Sequence, residues 1–165
     1  MTSGGGAATE IQSYNPTSDT ASTVLDVSPL TDVYNVEYDP AQDATYFWSE
    51  SRFYQADLGA GSYTVIPAYT SGYADFSVSP DGNFLFTAND TNIESVTIAD
   101  GSSETLYNGL TNATRHDMAL AQSSAGGGKC SLYVADGTSI LELSGFPGNC
   151  SSFPWIMFLP AITHP

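Results

Sequence analysis

The chain is poor in positive charge. Arg52, Arg115 and Lys129 are its three basic residues, set against eighteen aspartates and glutamates in 165 residues, a formal net charge of −15. With no basic patch to neutralise phosphates, the composition argues against nucleic acid as a partner. An anionic membrane surface is disfavoured for the same Coulombic reason. Long apolar runs are missing too. The most apolar stretch, residues 153–162, holds two prolines and is too short to span a bilayer. Met1-Thr-Ser-Gly-Gly-Gly has neither a basic start nor an apolar core, so no signal peptide is visible. A secreted chain would then begin after processing or inside a longer one. There is no Gly-x-Ser-x-Gly elbow, no P-loop and no dinucleotide fingerprint, and Gly126-Gly-Gly128 precedes a strand pattern rather than a helix. Helix-building runs of Ala, Leu, Glu and Lys are absent.

What is present favours strands. Ten tyrosines and eight phenylalanines accompany frequent Thr and Val. The stretch Ala74–Ile98 reads as three short strands, with a Ser-Pro-Asp-Gly turn and a second turn over residues 89–92. Residues 33–66 carry four such runs, residues 73–107 repeat the set, and residues 115–143 repeat it again with a Ser/Gly-rich insertion at 122–128. Asn35, Asp75 and Asp117 fall at one repeat position, 40 and then 42 residues apart. Tyr46-Phe-Trp-Ser, Leu85-Phe-Thr-Ala and Leu132-Tyr-Val-Ala are expected at a second position. Arg52-Phe-Tyr, Asn92-Ile-Glu and Ser139-Ile-Leu are expected at a third. A period near forty residues with about four strands per copy is the mark of a β-propeller blade.

The expected architecture is all-β: a β-propeller-like array of about four-stranded antiparallel blades. A Gly-rich segment (1–9) leads into a half-blade (10–32), then blades at 33–72, 73–114 and 115–152, and an apolar tail (153–165). The array therefore has three blades and two incomplete ends. Its middle resembles propellers with NHL- or YWTD-type repeats. Ser131-Leu-Tyr-Val-Ala-Asp-Gly-Thr-Ser-Ile-Leu-Glu-Leu is similar to the NHL pattern, and Thr45-Tyr-Phe-Trp-Ser-Glu to the YWTD pattern with its core replaced. The resemblance implies a six-bladed ring, which would need about 240 residues. The two ends could close a smaller ring within one chain, complete a blade between two chains, or belong to a longer product. An uncovered Phe153, Trp155, Ile156, Phe158 and Leu159 would aggregate, so the tail is expected to be covered and is the candidate self-association segment.

Chemistry-bearing residues are few. Asn35, Asp75 and Asp117 would stand at the start of the inner strands. They could ring a channel mouth as a calcium-type site, as in metal-dependent lactonase or strictosidine synthase-like hydrolases, of which this chain would be a fragment. The competing reading ties each to backbone amides between blades, and recurrence in every copy favours it. His116 and Asp117 point to opposite strand faces, which argues against an acid–base pair. Tyr46, Phe47 and Trp48 read as packing rather than a sugar-stacking face. Cys130 and Cys150 are a disulfide candidate. Asn89, Asn112 and Asn149 begin N-x-Ser/Thr sequons in expected turns, and Asn15 is excluded by Pro16. The sequence alone therefore points to a secreted, glycosylated, disulfide-bonded module without enzymatic activity or cofactor. Its expected role is structural or adhesive, with itself or another extracellular protein as partner.

Overall fold

A computed structural model describes residues 9–31, 33–39, 42–70, 75–89, 91–111, 117–124, 129–146 and 150. Among these residues thirteen strands form four antiparallel sheets in chain order. A half-sheet pairs β1 (Glu10–Asn15) with β2 (Thr20–Asp26). The first blade is β3 (Tyr34–Asp39), β4 (Ala44–Ser49), β5 (Arg52–Asp57) and β6 (Ser62–Val65). The second is β7 (Phe76–Val78), β8 (Phe84–Asn89), β9 (Asn92–Thr97) and β10 (Ser103–Tyr107). The third has three strands among the described residues: β11 (Met118–Gln122), β12 (Cys130–Asp136) and β13 (Ser139–Phe146). The inner strands adjoin one another, β3 beside β7 and β7 beside β11. Successive sheets therefore stack face to face, as propeller blades do.

Turn chemistry sets the hairpins. In the β7–β8 turn, Gly82 takes φ +68° and donates to Ser79 O at 2.9 Å. Asp81 accepts from Ser79 Oγ at 2.6 Å and from Asn83 N at 3.2 Å. This is the Ser-Pro-Asp-Gly turn, its carboxylate acting as an internal cap.

Three apolar clusters fill the three seams. Ile11, Leu25, Val27 and Val33 meet Phe47, Tyr54 and Ala56 between half-sheet and first blade. Tyr46, Trp48 and Phe53 meet Phe76, Val78 and Leu85 in the next seam. Phe86, Ala88 and Ile93 meet Leu132 and Val134 in the last. Along β4 all six residues are buried. Phe47 points to the preceding sheet, and its neighbours Tyr46 and Trp48 point to the following one, because strand side chains alternate. Phe53 anchors the middle seam, edge-on to Phe76 at 5.2 Å and stacked on Tyr69 at 5.6 Å. The three aromatics of β4 are thus packing residues.

The ladders correct one alignment. Glu37 faces Tyr46 in the first blade, and Ser77 faces Phe86 in the second. Tyr46 therefore corresponds to Phe86, not to Leu85. Leu85 packs back toward the first blade, whereas Tyr46 packs forward. A one-residue slip exchanges the two faces of a strand, and the Phe in each motif hid it. Ala88 faces Ile93 and Ala135 faces Ile140, so Phe53, Ile93 and Ile140 are equivalent, as expected at the third repeat position.

Candidate functional site

The inner strands carry the chain's polar seam. Asn35 sits at an irregularity in the β3–β4 ladder, between Tyr34 and Val36, with φ +43°. Asn tolerates this left-handed conformation better than most residues. The bulge aims its amide across the seam, where Nδ2 donates to Asp75 Oδ1 at 3.0 Å and to Phe76 O at 3.4 Å. Two positions on, Glu37 accepts from Ser77 Oγ at 3.0 Å and from Val78 N at 3.1 Å. Burial pushes the Glu37 carboxyl up to about 7, with Asp39 and Asp75 adding repulsion and the Val78 and Ser77 hydrogen bonds opposing.

The repeat position 35/75/117 thus joins its first two members and treats the third differently. Asp117 is exposed, and its carbonyl accepts from Ala135 N at 3.0 Å within its own sheet. Among the described residues no group of three His, Cys, Asp or Glu is arranged to hold a metal ion. Glu37 was not singled out by sequence. The signal available was a carboxylate at an inward position of an alternating strand.

Elsewhere, Tyr69 lies between the first and second blades and donates to Glu94. Burial is the main cause that drives its phenol far above the ordinary range, and the Glu94 bond adds to it. Cys130 and Cys150 form a disulfide, with Cα atoms 5.3 Å apart. It fastens residue 150 to the start of β12. Asn89 is the last residue of β8. Asn112, Asn149, His116, His164 and the tail residues Phe153, Trp155, Ile156, Phe158 and Leu159 lie outside the described residues.

The other notable surface is a sheet face. Tyr38, Thr45, Ala56 and Tyr63 form one cross-strand row of the first blade. Ala56 and Tyr63 belong to the cluster shared with the half-sheet, which fixes the row on that side. The two strands of the half-sheet leave Tyr38 53% exposed, whereas the equivalent Val78, covered by a four-stranded blade, is 6% exposed. A cavity of about 570 Å³ opens along this row, its rim continuing through Gln42 and Asp43. Tyr38 Oη donates to Asp43 Oδ1 at 2.8 Å, which holds the ring at the rim.

No protein-family model matches the chain, and no curated protein matches it. Solved structures do. A chain in the crystal structure of a nidogen/laminin complex is similar over 87% of this chain and 62% of its own length, at 14% identity and a TM-score of 0.59. TolB from Acinetobacter baumannii is similar over 84% of this chain and 38% of its own, at 18% identity and a TM-score of 0.54. The chain therefore spans less than two thirds of either. Likeness at these identities establishes the fold, and the fold is β-propeller-like.

Proposed function

We propose that this chain is a non-enzymatic, extracellular structural or adhesive module with NHL/YWTD-like blades. It self-associates head to tail by completing a split blade. The tail of one copy supplies the inner strand, and β1–β2 of the next copy supply the outer pair. The observation that carries this reading is the half-covered face of the first blade. Tyr38 is exposed at a position whose equivalent is buried, beside a sheet of two strands where the second blade has one of four beside it. Trp155 to Leu159, five apolar residues between two prolines, have the composition of a strand buried on both faces, as β4 is.

The disulfide and the three sequons support an oxidising, secretory setting. The nidogen/laminin chain of similar fold was itself solved in a protein–protein complex, the kind of partner this reading requires. Among the described residues no helix is long and apolar enough to cross a membrane. Sedimentation velocity over a concentration series tests the proposal. Mass should rise with concentration for the chain and return to that of a monomer in Trp155→Asp. A wild-type chain that stays monomeric at every concentration refutes it.

A further inference from the structure

Four Asp-Gly or Asn-Gly pairs occur in the chain: Asp81-Gly82, Asp100-Gly101, Asn108-Gly109 and Asp136-Gly137. Such a pair is chemically labile. Glycine has no Cβ to keep its amide nitrogen from attacking the carbonyl carbon of the preceding side chain. The fold restrains three of the four. Asp81 accepts from Ser79 Oγ at 2.6 Å and from Asn83 N at 3.2 Å, and Gly82 N donates to Ser79 O. Asp100 accepts from Ser102 N at 2.9 Å and from Ser102 Oγ at 2.7 Å, and Gly101 N donates to Thr97 O. Asp136 accepts from Thr111 N at 3.0 Å and from Thr111 Oγ1 at 2.7 Å. An ionised carboxylate is a poor electrophile, and these donors pin each one in place.

Asn108-Gly109 differs in each respect. It follows Tyr107, the last residue of β10, and so lies in the link from the second blade to the third rather than in a hairpin turn. Both residues are exposed. Among the described residues, neither the Asn108 side chain nor the Gly109 N–H makes a hydrogen bond. The Asn108 amide is neutral, which makes its carbonyl carbon the better electrophile. Glycine is also built into the packing. Tyr107 Oη donates to Gly109 O at 3.3 Å, and a Cβ on Gly109 would stand 2.6 Å from that hydroxyl and 2.8 Å from Cζ. The next residues are seated on both blades. Leu110 is 4% exposed in the cluster of the last seam, and its N–H donates to Thr91 O at 3.0 Å. Thr111 is held by Asp136 of the third blade.

We propose that Asn108 is a site of spontaneous deamidation, and that its isoaspartyl product loosens the link that seats the second blade on the third. Water is the co-reactant. The Gly109 nitrogen gives its proton to solvent base and attacks Asn108 Cγ. The N–Cγ bond forms, the Cγ–Nδ2 bond breaks, and Nδ2 leaves as ammonia, so that a succinimide remains. Water then opens the ring at one of its two carbonyls. Opening at Cγ gives an aspartyl residue. Opening at the main-chain carbonyl gives an isoaspartyl residue, whose main chain runs through Cβ and Cγ. Either product puts a carboxylate in place of a neutral amide, in a chain already at −15. The isoaspartyl form also adds a main-chain bond of about 1.5 Å between Tyr107 and Leu110. Both flanks are anchored, so the added length must bulge the link or draw Leu110 away from Thr91.

The test ages the full folded chain in mildly alkaline buffer and maps it by mass spectrometry, with electron-transfer fragmentation to tell aspartyl from isoaspartyl. The mass gain of amide-to-acid exchange should appear at Asn108 before Asn83 or Asn92, with release of ammonia. It should be lost in Asn108→Gln, whose longer side chain cyclises far more slowly. The isoaspartyl fraction, separated by ion exchange, should melt about 2–4 °C below unaged protein, as loss of one hydrogen bond does in a chain of this size. Asn108→Asp carries the charge without the added bond and should melt nearer to unaged protein. An Asn108 that stays intact while Asn83 or Asn92 reacts overturns the proposal, as does reaction at Asn108 in urea alone. Isoaspartate forming at Asp81, Asp100 or Asp136 as fast as at Asn108 also overturns it, since the hydrogen bonds would then protect nothing. An isoaspartyl fraction that melts with unaged protein, or with Asn108→Asp, removes the loosening of the link.

Discussion

Two glycines forty residues apart provide a matched test of blade-to-blade packing. Gly61 and Gly101 occupy corresponding outer hairpin turns, β5–β6 and β9–β10, with φ +64° and +71°. A methyl group at Gly61 would meet nothing within 4 Å. At Gly101 it would stand 1.4 Å from Pro67 O, 2.5 Å from Pro67 C and 3.1 Å from Tyr69 N, all in the link between first and second blades. Left-handed backbone costs alanine about 1–2 kcal/mol, and the stiffer unfolded chain returns about 0.4–1 kcal/mol. Gly61→Ala should therefore cost about 1 kcal/mol or less. Gly101→Ala carries the same term plus a backbone overlap that no rotamer relieves. Ordinary contact begins near 3.4 Å, so the turn must withdraw by about 2 Å. That strains the Gly101 N to Thr97 O and Thr97 N to Ser102 O bonds, both 2.8 Å, at about 1 kcal/mol each. It also loosens Tyr69 from Phe53. The total is about 3–4 kcal/mol. For a chain of this size that lowers the melting temperature by about 8–15 °C, against about 1–4 °C for Gly61→Ala. Circular dichroism melts of the two variants side by side measure the difference. Equal losses would refute the idea that the Pro67–Tyr69 link is seated on the second blade through Gly101.

The polar seam and the disulfide give two further expectations. Glu37 has a folded pKa raised from 4.5 to about 7, so the seam is fully stable below pH 4.5 and loses stability as pH rises through 7. The half-buried carboxylate should contribute a fall of about 2–3 kcal/mol across that window, and Glu37→Gln should flatten the curve of melting temperature against pH. An unchanged slope in Glu37→Gln would place the titration elsewhere. The lowered groups act in another window. The Ser124 hydroxyl and amide hold Glu142 down to about 2, so its contribution is lost only as pH falls from 4.5 toward 2. Reduction of Cys130–Cys150, separated by 20 residues, should cost about 3 kcal/mol by loop entropy. Urea melts with and without reductant check this, and a midpoint unmoved by reductant would show that the bridge constrains nothing in the unfolded chain.

The strands were legible because the alternation is strong and the turns carry Gly, Asp and Ser at positions that need them. Phe76 and Val78 between small residues, then Ser79 to Gly82, allow little else than a strand and a tight turn. Faces were harder to read. The Phe shared by Tyr46-Phe-Trp and Leu85-Phe-Thr invites an alignment that the ladders correct by one residue, and one residue is the difference between the two sides of a sheet. The joining of Asn35 to Asp75 could be anticipated from their spacing, but the bulge that aims the amide could not, since positive φ depends on the ladder around it. Glu37 escaped notice because a carboxylate beside an apolar residue reads as a solvated position. Its burial is created by Ser77 and Val78, forty residues away. Ile140 escaped for the opposite reason. Sequence marks it as a core position equivalent to Phe53, yet among the described residues it is 75% exposed, whereas Phe53 is 1% exposed.

Division of labour across each seam explains how an acidic chain holds this stack. The middle strands carry the burial: β4 has no exposed residue, and Leu85, Phe86, Thr87 and Ala88 of β8 are all buried. The inner strands carry the orientation, through Asn35 to Asp75 and Glu37 to Ser77 and Val78. Carboxylates that face solvent are spent on turns, as Asp57 is on Ala60 N at 2.8 Å and Asp100 on Ser102 N at 2.9 Å. An array built this way is quasi-one-dimensional, with each sheet stabilised by the neighbours on its two faces. Among the described residues the second blade has a sheet on both faces, and the first has a full sheet on one face and the two strands of β1–β2 on the other. The half-sheet and the third blade have, among the described residues, a neighbouring sheet on one face each, and the third adds a disulfide.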